Sequence, residues 1–220
     1  MTEPRTIAIG DIHGCAAALK TLVDTIQPTE WDKIVTLGDY VDRGPDSRGV
    51  IDQLLELSQR CVLVPLIGNH EVMMLESLDQ GGERFEWWQE CGGRETVESY
   101  GGSLRQVPEV HQDFLRGLHD FYETERHIFV HANYDYDLPM DAQLRNRTLW
   151  EHIHFHEPAP HQSGKIVFVG HTPQKSGDIL DLGHLVCIDT ACAVGGFLTA
   201  LDVNSRQIWQ ADAAGKLRDQ

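Results

Sequence analysis

The chain has 220 residues, and its 18 Lys and Arg against 34 Asp and Glu give a formal net charge of −16. This length is typical of one domain with a sizeable core, and no segment of linker composition divides it. The acidic balance argues against nucleic acid and anionic membranes as partners, because both depend on clustered Lys and Arg. We therefore expect a single domain over residues 1–220 that binds neither.

The N-terminal residues and the cysteines bear on the compartment. Residues 1–5 lack the basic and apolar regions of a signal peptide, and no apolar run reaches the ~20 residues of a membrane span. The five cysteines are odd in number and show no Cys-x-x-Cys spacing, which favours reduced thiols. These features predict a cytoplasmic location.

Three apolar runs in the first third of the chain each stop at a polar residue. The runs at 6–9, 34–37 and 62–67 lead to Asp11, Asp39 and Asn69, and helix-period segments at 15–26 and 47–59 separate them. The spacing of about 30 residues matches successive βαβ units, whose right-handed crossovers bring the strand ends to one edge of a parallel sheet. Ligands bind at that edge in open α/β sheets.

Two later apolar runs follow the same rule. The run at 127–130 ends at His131, and the run at 165–169 leads to Gly170 and His171. In addition, Asp11 and His13 lie two residues apart, so their side chains point the same way in an extended segment. Strand ends that repeatedly carry Asp, Asn or His predict a metal centre.

Two metal ions account for this set of residues. One would be held by Asp11, His13 and Asp39. The other would be held by Asp39 as a bridging ligand together with Asn69, His131 and His171. Nitrogen and oxygen ligands without thiolate suit Mn²⁺, Fe or Zn²⁺ better than Ca²⁺, and Mn²⁺ is our first expectation. Two such ions about 3.5–4 Å apart clamp a phosphoryl group and lower the pKa of a bridging water.

Three further residues complete the predicted site. His70 follows Asn69 directly, so its side chain is expected near the centre but uncoordinated, where it can protonate a leaving alkoxide. Asp42 is expected to orient His70 and to favour its charged form. Arg43 offers a planar fork for two phosphate oxygens.

The same residues fall into five motifs. These are Gly10-Asp11-Ile12-His13-Gly14, Gly38-Asp39-Tyr40-Val41-Asp42-Arg43-Gly44, Gly68-Asn69-His70-Glu71, His131-Ala132-Asn133 and Gly170-His171-Thr172. In order and spacing they resemble the calcineurin-like metallophosphoesterases. Within that superfamily the chain is most similar to the bacterial and phage serine/threonine protein phosphatases, over about residues 5–203.

The resemblance implies an α/β (α+β) fold: a β-sandwich of two mixed sheets flanked by helices, with the metal site at the carboxyl ends of the strands. It also implies direct attack of a metal-bridging hydroxide on phosphorus. The ligand roles carry over to the six residues above, the phosphate-binding role to Arg43, and the acid role to His70 with Asp42.

One position departs from the family pattern. The resemblance implies a second phosphate-binding arginine two residues after a Leu-Trp pair, but here Leu149-Trp150 is followed by Glu151-His152. Arg145 or Arg147 is a candidate replacement, and weaker phosphate binding is the alternative.

Two segments are expected to shape access to the site. Residues 72–126 are predicted to form a helical insert, with Trp87 and Trp88 packed inside it rather than in contact with substrate. The His-rich loop, which we define as residues 151–161, is expected to be solvated, with a third metal site as the alternative.

These observations predict a metal-dependent phosphomonoesterase, a serine/threonine protein phosphatase whose partner is a phosphoprotein or phosphopeptide. The alternative within the superfamily is a symmetrical bis(5'-nucleosyl)-tetraphosphatase. A catalytically silent scaffold with the same fold is disfavoured, because all six ligands and His70 are present.

Overall fold

Two five-stranded mixed sheets pack face to face in the computed structural model, which describes residues 4–219. The fold class expected from the sequence, a two-sheet α/β sandwich flanked by helices, is confirmed. Residues 1–3 and 220 of the predicted 1–220 domain lie outside the described residues. Residues 1–3 are also part of the segment 1–5 that lacks the features of a signal peptide.

The first sheet has the order β10-β9-β1-β2-β3. Its parallel strands are β1 (Thr6–Ile9), β2 (Lys33–Thr36) and β3 (Val62–Pro65), joined by helices α1 (Ala16–Ile26) and α2 (Ser47–Leu57). Strand β9 (Phe197–Asp202) pairs antiparallel with β1, and β10 (Ile208–Asp212) pairs antiparallel with β9. The strand and helix segments predicted for the first third of the chain are therefore present, with each end within two residues of the prediction.

Helix α2 begins where the sequence provides an N-cap. The Asp46 side chain accepts a hydrogen bond from the backbone N–H of Gly49 at 2.8 Å, which satisfies one of the free donors of the first turn. One face of α2 is buried in the core beside the first sheet, and its apolar residues at helical spacing are Val50, Ile51, Leu54 and Leu57.

The segment predicted as a helical insert over 72–126 is helical in most of its length. It contains α3 (Asn69–Gln80), α4 (Gly82–Trp88), α5 (Arg94–Ser99) and α6 (Glu109–Arg116). The bounds differ from the prediction at both ends, since α3 already begins at Asn69 and Phe121–Glu123 is a strand, β4. Strand β4 forms an antiparallel hairpin with the strand at 127–130, with Phe121 opposite Val130, and is the edge strand of the second sheet.

The second sheet has the order β4-β5-β6-β8-β7. Strands β5 (His127–Val130), β6 (Ile166–Val169) and β8 (Leu185–Cys187) are parallel, and β7 (Leu180–Asp181) pairs antiparallel with β8. Between β5 and β6 the chain forms helix α7 (Arg145–Trp150) and then the His-rich loop, which has no helix or strand.

The apolar layer between the sheets combines residues of both. Its buried members are Ala8, Val35, Leu37, Val64, Leu66, Phe129, Phe168, Val186, Ile188, Leu201 and Val203. Phe129 and Phe168 stack with ring centroids 5.3 Å apart. This shared core sets the position of one sheet relative to the other, and therefore of the loops at their common edge.

None of the helices between residues 4 and 219 is long and apolar enough to cross a membrane.

A buried carboxylate ties the start of the described chain to the first sheet. Asp32 is 3% exposed and accepts hydrogen bonds from the backbone N–H, Nε and Nη2 of Arg5 and from the backbone and hydroxyl of Thr29. Although burial opposes it, these bonds from Arg5 and Thr29 hold the pKa of Asp32 below its ordinary value.

We expect Asp32→Asn to lower the free energy of unfolding by about 2–3 kcal/mol at pH 7, because charge-assisted bonds are lost. A carboxylate with a lowered folded-state pKa contributes stability above its ordinary pKa of about 4 and loses it as the pH falls further. The gap between wild type and variant, measured by urea unfolding, should thus shrink below pH 4.

The exposed carboxylate of Asp24, which pairs with Lys20, provides the control. Asp24→Asn should change the unfolding free energy by less than about 1 kcal/mol. A gap for Asp32→Asn that is equally large at pH 3 and pH 7 would contradict the charge-assisted account.

Candidate metal centre

Residues that follow strands of both sheets meet at one edge of the sandwich. The His131 Nδ1 donates to the Leu37 carbonyl of the first sheet at 2.7 Å. The backbone N–H of His171 donates to both carboxylate oxygens of Asp11, at 3.1 and 3.0 Å. The predicted ligands at the ends of β1, β2, β3, β5 and β6 are therefore brought together across the seam between the sheets.

The backbone at this edge adopts an unusual conformation. Of the eight non-glycine residues with positive φ between residues 4 and 219, five belong to the predicted site: His13, Asp39, Asp42, Arg43 and His171, at φ 45–76°. Side chains larger than glycine rarely occupy this region, so the surrounding contacts must hold it. Such strain is typical of functional loops.

Close backbone approach explains one of the motif glycines. A Cβ added to Gly170 would lie 2.0 Å from Oδ1 of Asp11. Only glycine lets the loop after β6 approach the Asp11 carboxylate this closely.

Two of the histidines present the same nitrogen to the centre. His13 and His131 donate from Nδ1 to the carbonyls of Val41 and Leu37. Because a carbonyl only accepts, the proton of each ring lies on Nδ1 and Nε2 carries the lone pair, which is the tautomer of a metal-binding histidine.

Asp39 lies between these imidazoles. Its Oδ2 is 3.4 Å from His13 Nε2, and its Oδ1 is 3.5 Å from His131 Nε2. The Nε2 of His131 is also 3.1 Å from Oδ1 of Asn69. Each oxygen of one carboxylate thus faces a different histidine, which is the arrangement of a bridging ligand.

These residues fit divalent cations on the chemistry of the donors. Burial lowers the pKa of His13 and of His171 to about 3 and also lowers that of His131, so the rings are neutral. Their lone pairs then face carboxylate lone pairs without a proton between them. Moreover, His171 Nε2 is buried and has no hydrogen-bond partner among the described residues. Cations bound between these donors would separate the facing lone pairs and would give His171 Nε2 a partner.

Two groups of ligand atoms lie within 4.8 Å of one another: His13, Asp39 and His70, and Asp39, His131 and His171. Asp11 belongs to neither group, but its carboxylate lies against the backbone of His171. Burial and the neighbouring carboxylates of Asp189 and Asp39 raise the pKa of Asp11, as expected for an anion that lacks a countercharge.

His70 lies beside this centre and is held by Asp42. The His70 Nδ1 and Asp42 Oδ2 are 2.6 Å apart, and Trp88 Nε1 and Thr96 Oγ1 each donate to the same carboxylate at 2.7 Å. Burial disfavours the charged imidazole, but Asp39 and Asp42 outweigh it and raise the pKa of His70. The Nε2 of His70, which carries a proton in the charged ring, lies 4.0 Å from Oδ2 of Asp39.

Sequence reasoning missed the residues that support Asp42. Trp88 is packed inside, as predicted, whereas its neighbour Trp87 is 42% exposed and lies 6.0 Å from the Trp150 ring. The indole N–H of Trp88 and the hydroxyl of Thr96 reach Asp42 from distant parts of the sequence, and no local pattern signals either contact.

Glu71 is a second residue whose role the sequence did not reveal. Its fully buried carboxylate accepts from the backbone N–H groups of Gly68, Asp39 and Tyr40 at 2.7–2.9 Å. It therefore ties the loop after β2 to the start of α3. Its place in the Gly68-Asn69-His70-Glu71 motif was the available signal.

The arginines occupy different places. Arg43 Nη1 donates to His13 Nε2 at 2.7 Å, at the candidate centre. Arg145 pairs with Asp120, and Arg147 with Asp135 and Glu151. Over residues 4–219 no hydrogen bond or ion pair joins Arg145 or Arg147 to the six predicted ligands, so a phosphate-binding role for either stays a prediction.

Known proteins are similar to this chain in sequence or in fold. The chain is 30% identical to serine/threonine-protein phosphatase 1 of Salmonella typhimurium over 200 residues, 87% of this chain and 88% of that protein. It is also 30% identical to the symmetrical bis(5'-nucleosyl)-tetraphosphatase of Nitrosomonas europaea, over 58% of this chain but only 44% of that enzyme. A crystal structure described as a diadenosine tetraphosphatase superposes with a TM-score of 0.72 at 22% identity, covering 96% and 94% of the two chains.

The family model of the calcineurin-like phosphoesterases matches residues 4–198. This range includes every predicted ligand and the Asp42–His70 pair. The chain therefore belongs to the calcineurin-like phosphoesterases.

Proposed function

We propose that this metallophosphoesterase is a serine/threonine protein phosphatase that hydrolyses phosphomonoesters with two divalent cations. The observation that carries the proposal is the position of Asp39, whose two oxygens face different neutral histidines while Arg43 and the Asp42–His70 pair lie alongside. Such an arrangement can provide charge neutralisation, phosphate binding and a proton donor within one cluster.

We propose that the cations are Mn²⁺, with Fe or Zn²⁺ as the alternatives that the donor set permits. Asp11, His13 and Asp39 would hold one ion. Asp39, Asn69, His131 and His171 would hold the other. When bound, such ions supply an activated water and neutralise the charge of the phosphoryl oxygens.

The protein's own groups do the rest of the chemistry. The guanidinium of Arg43 lies at the mouth of the centre, against His13, where its fork can bind two phosphoryl oxygens. The His70 imidazolium, oriented through Nδ1 by Asp42, can give its remaining proton to the leaving oxygen. The buried Trp88 and Thr96 side chains keep Asp42 in place and keep water from it.

The protein substrate is supported by the relatives. The likeness to the Salmonella phosphatase spans nearly all of both chains at 30% identity, whereas the Nitrosomonas tetraphosphatase matches over less than half of its own length. An asymmetrical tetraphosphatase of Geobacillus thermodenitrificans matches over 88% of both chains, but at 26% identity. We accordingly propose a phosphoprotein or phosphopeptide as partner and a cytoplasmic location.

A symmetrical bis(5'-nucleosyl)-tetraphosphatase is the second candidate. It is supported by that relative and by the exposed Trp87 ring, which lies next to Trp150 and offers an aromatic face of the kind on which nucleobases stack.

A silent scaffold is disfavoured, since the described residues keep all six ligands, Arg43 and His70 in contact with one another or with their supports.

We expect chelation with EDTA to abolish hydrolysis of p-nitrophenyl phosphate and added Mn²⁺ to restore it. Bound metal per chain, measured by elemental analysis after gel filtration, should fall for both sites in Asp39→Ala, because Asp39 faces both groups of histidines. His171→Ala should lose metal at one site only. Equal metal content in Asp39→Ala and wild type would contradict the bridging role.

We expect His70→Asn to slow hydrolysis of a phosphoserine peptide by about 10²–10⁴-fold, the range of general acid catalysis. The loss with p-nitrophenyl phosphate should be smaller, because p-nitrophenolate leaves readily without a proton. His156→Asn, in the exposed part of the His-rich loop, is the matched control and should retain activity. A loss that is the same for both leaving groups would count against proton donation by His70.

The two candidate functions differ in substrate. With Mn²⁺ present, kcat/KM for a phosphoserine peptide should exceed that for diadenosine tetraphosphate by at least about tenfold, a difference of ~1.4 kcal/mol in transition-state binding. The opposite ranking would establish the tetraphosphatase instead. Trp87→Ala should weaken only the nucleotide reaction if its ring stacks a base.

A further inference from the structure

Two buried nitrogen atoms lack partners in adjacent rings. Over residues 4–219 the buried side-chain polar atoms without a hydrogen bond are Nδ1 of His152 and Nε2 of His171. The two rings stack with centroids 4.4 Å apart and planes inclined by 21°. A buried polar atom without a partner is costly, so such atoms mark places where a ligand completes the site.

The His-rich loop is fixed against this part of the centre. The backbone N–H of Ile153, next to His152, donates to Thr172 Oγ1 at 3.1 Å, and the Ile153 side chain is buried in the core of the second sheet. The backbone beside His152 is therefore anchored where its ring stacks on His171.

The arginines nearest in sequence do not fill this place. Arg145 and Arg147 are engaged by Asp120, Asp135 and Glu151. Among the described residues His152 also joins no group of three ligand atoms, which disfavours a third metal site. Because the His152 ring stacks on the His171 ring, a group bound to ions at His171 would lie next to His152.

We propose that His152 is a substrate-binding residue, whose Nδ1–H donates a hydrogen bond to an oxygen of the phosphoryl group held at the metal centre. The proposal depends on one part of the proposed function, namely that the metal centre binds a phosphoryl group. It applies equally to phosphopeptide and dinucleotide, and it accounts for the unpartnered Nδ1.

Two substitutions separate the hydrogen bond from the stacking. His152→Phe keeps a ring over His171 but has no N–H. His152→Asn loses the stacked ring but keeps an N–H donor close to the place of Nδ1. His156→Asn, in the same loop with an exposed side chain, is the matched control.

Affinity for inorganic phosphate should be measured by calorimetry on the metal-loaded protein, together with metal content and with kcat and KM for p-nitrophenyl phosphate. We expect His152→Phe to weaken phosphate binding about tenfold or more and to raise KM, with metal content unchanged. His152→Asn should stay within about threefold of wild type, and His156→Asn should match wild type.

Phosphate affinity at the wild-type level in His152→Phe would overturn the proposal. So would equal weakening in both variants, which would assign the effect to ring stacking, or loss of metal from His152→Phe, which would make the ring a ligand.

A measurement on the unmodified chain guards against misfolded variants. Phosphate added to the Zn²⁺-loaded protein should shift the ring-nitrogen NMR signals of His152, whereas unchanged signals would contradict the proposal. A protein that hydrolyses neither candidate substrate but shows this shift would refute the proposed function and leave the role of His152 intact.

Discussion

The structure depends on how it accommodates buried negative charge at the ends of its strands. Burying an unpaired carboxylate is costly, and this edge buries several. Glu71 is satisfied by backbone N–H groups, and Asp42 by His70, Trp88 and Thr96. Asp39 instead faces neutral imidazoles, and Asp11 faces other carboxylates. Divalent cations bound here would complete these partial shells, and their binding would then add to the stability of the edge.

Much of this arrangement could be predicted from the sequence. Apolar runs that stop at Asp, Asn or His located the ends of β1, β2, β3, β5 and β6 that carry the candidate ligands, because a strand buried on both faces leaves a continuous signal. The pairing of His70 with Asp42 was also anticipated, since the two follow neighbouring parallel strands. The helical insert was predicted at 72–126, and its helices lie between Asn69 and Arg116.

The rest depends on contacts that no local pattern revealed. Strand β4 was expected to be helical, but it forms a hairpin with β5, five to nine residues further along the chain. The support of Asp42 by Trp88 and Thr96, and the positive φ of Asp42 and its neighbours, leave no local signature. The residue two positions after Trp150, expected from the resemblance to be arginine, is His152, and only the structure shows that its ring lies on His171.

The position of the centre on the seam has a consequence for the lifetime of the protein in a cell. His131 and His171 follow strands of one sheet and Asp39 follows a strand of the other, so ions bound to all three would join the two halves of the sandwich. Ligands that bind only the folded state raise its stability by mass action, and unfolded chains are degraded. The rate of degradation would then rise when divalent cations are scarce. At an unchanged rate of synthesis, the cellular abundance of this protein would fall with the cation supply.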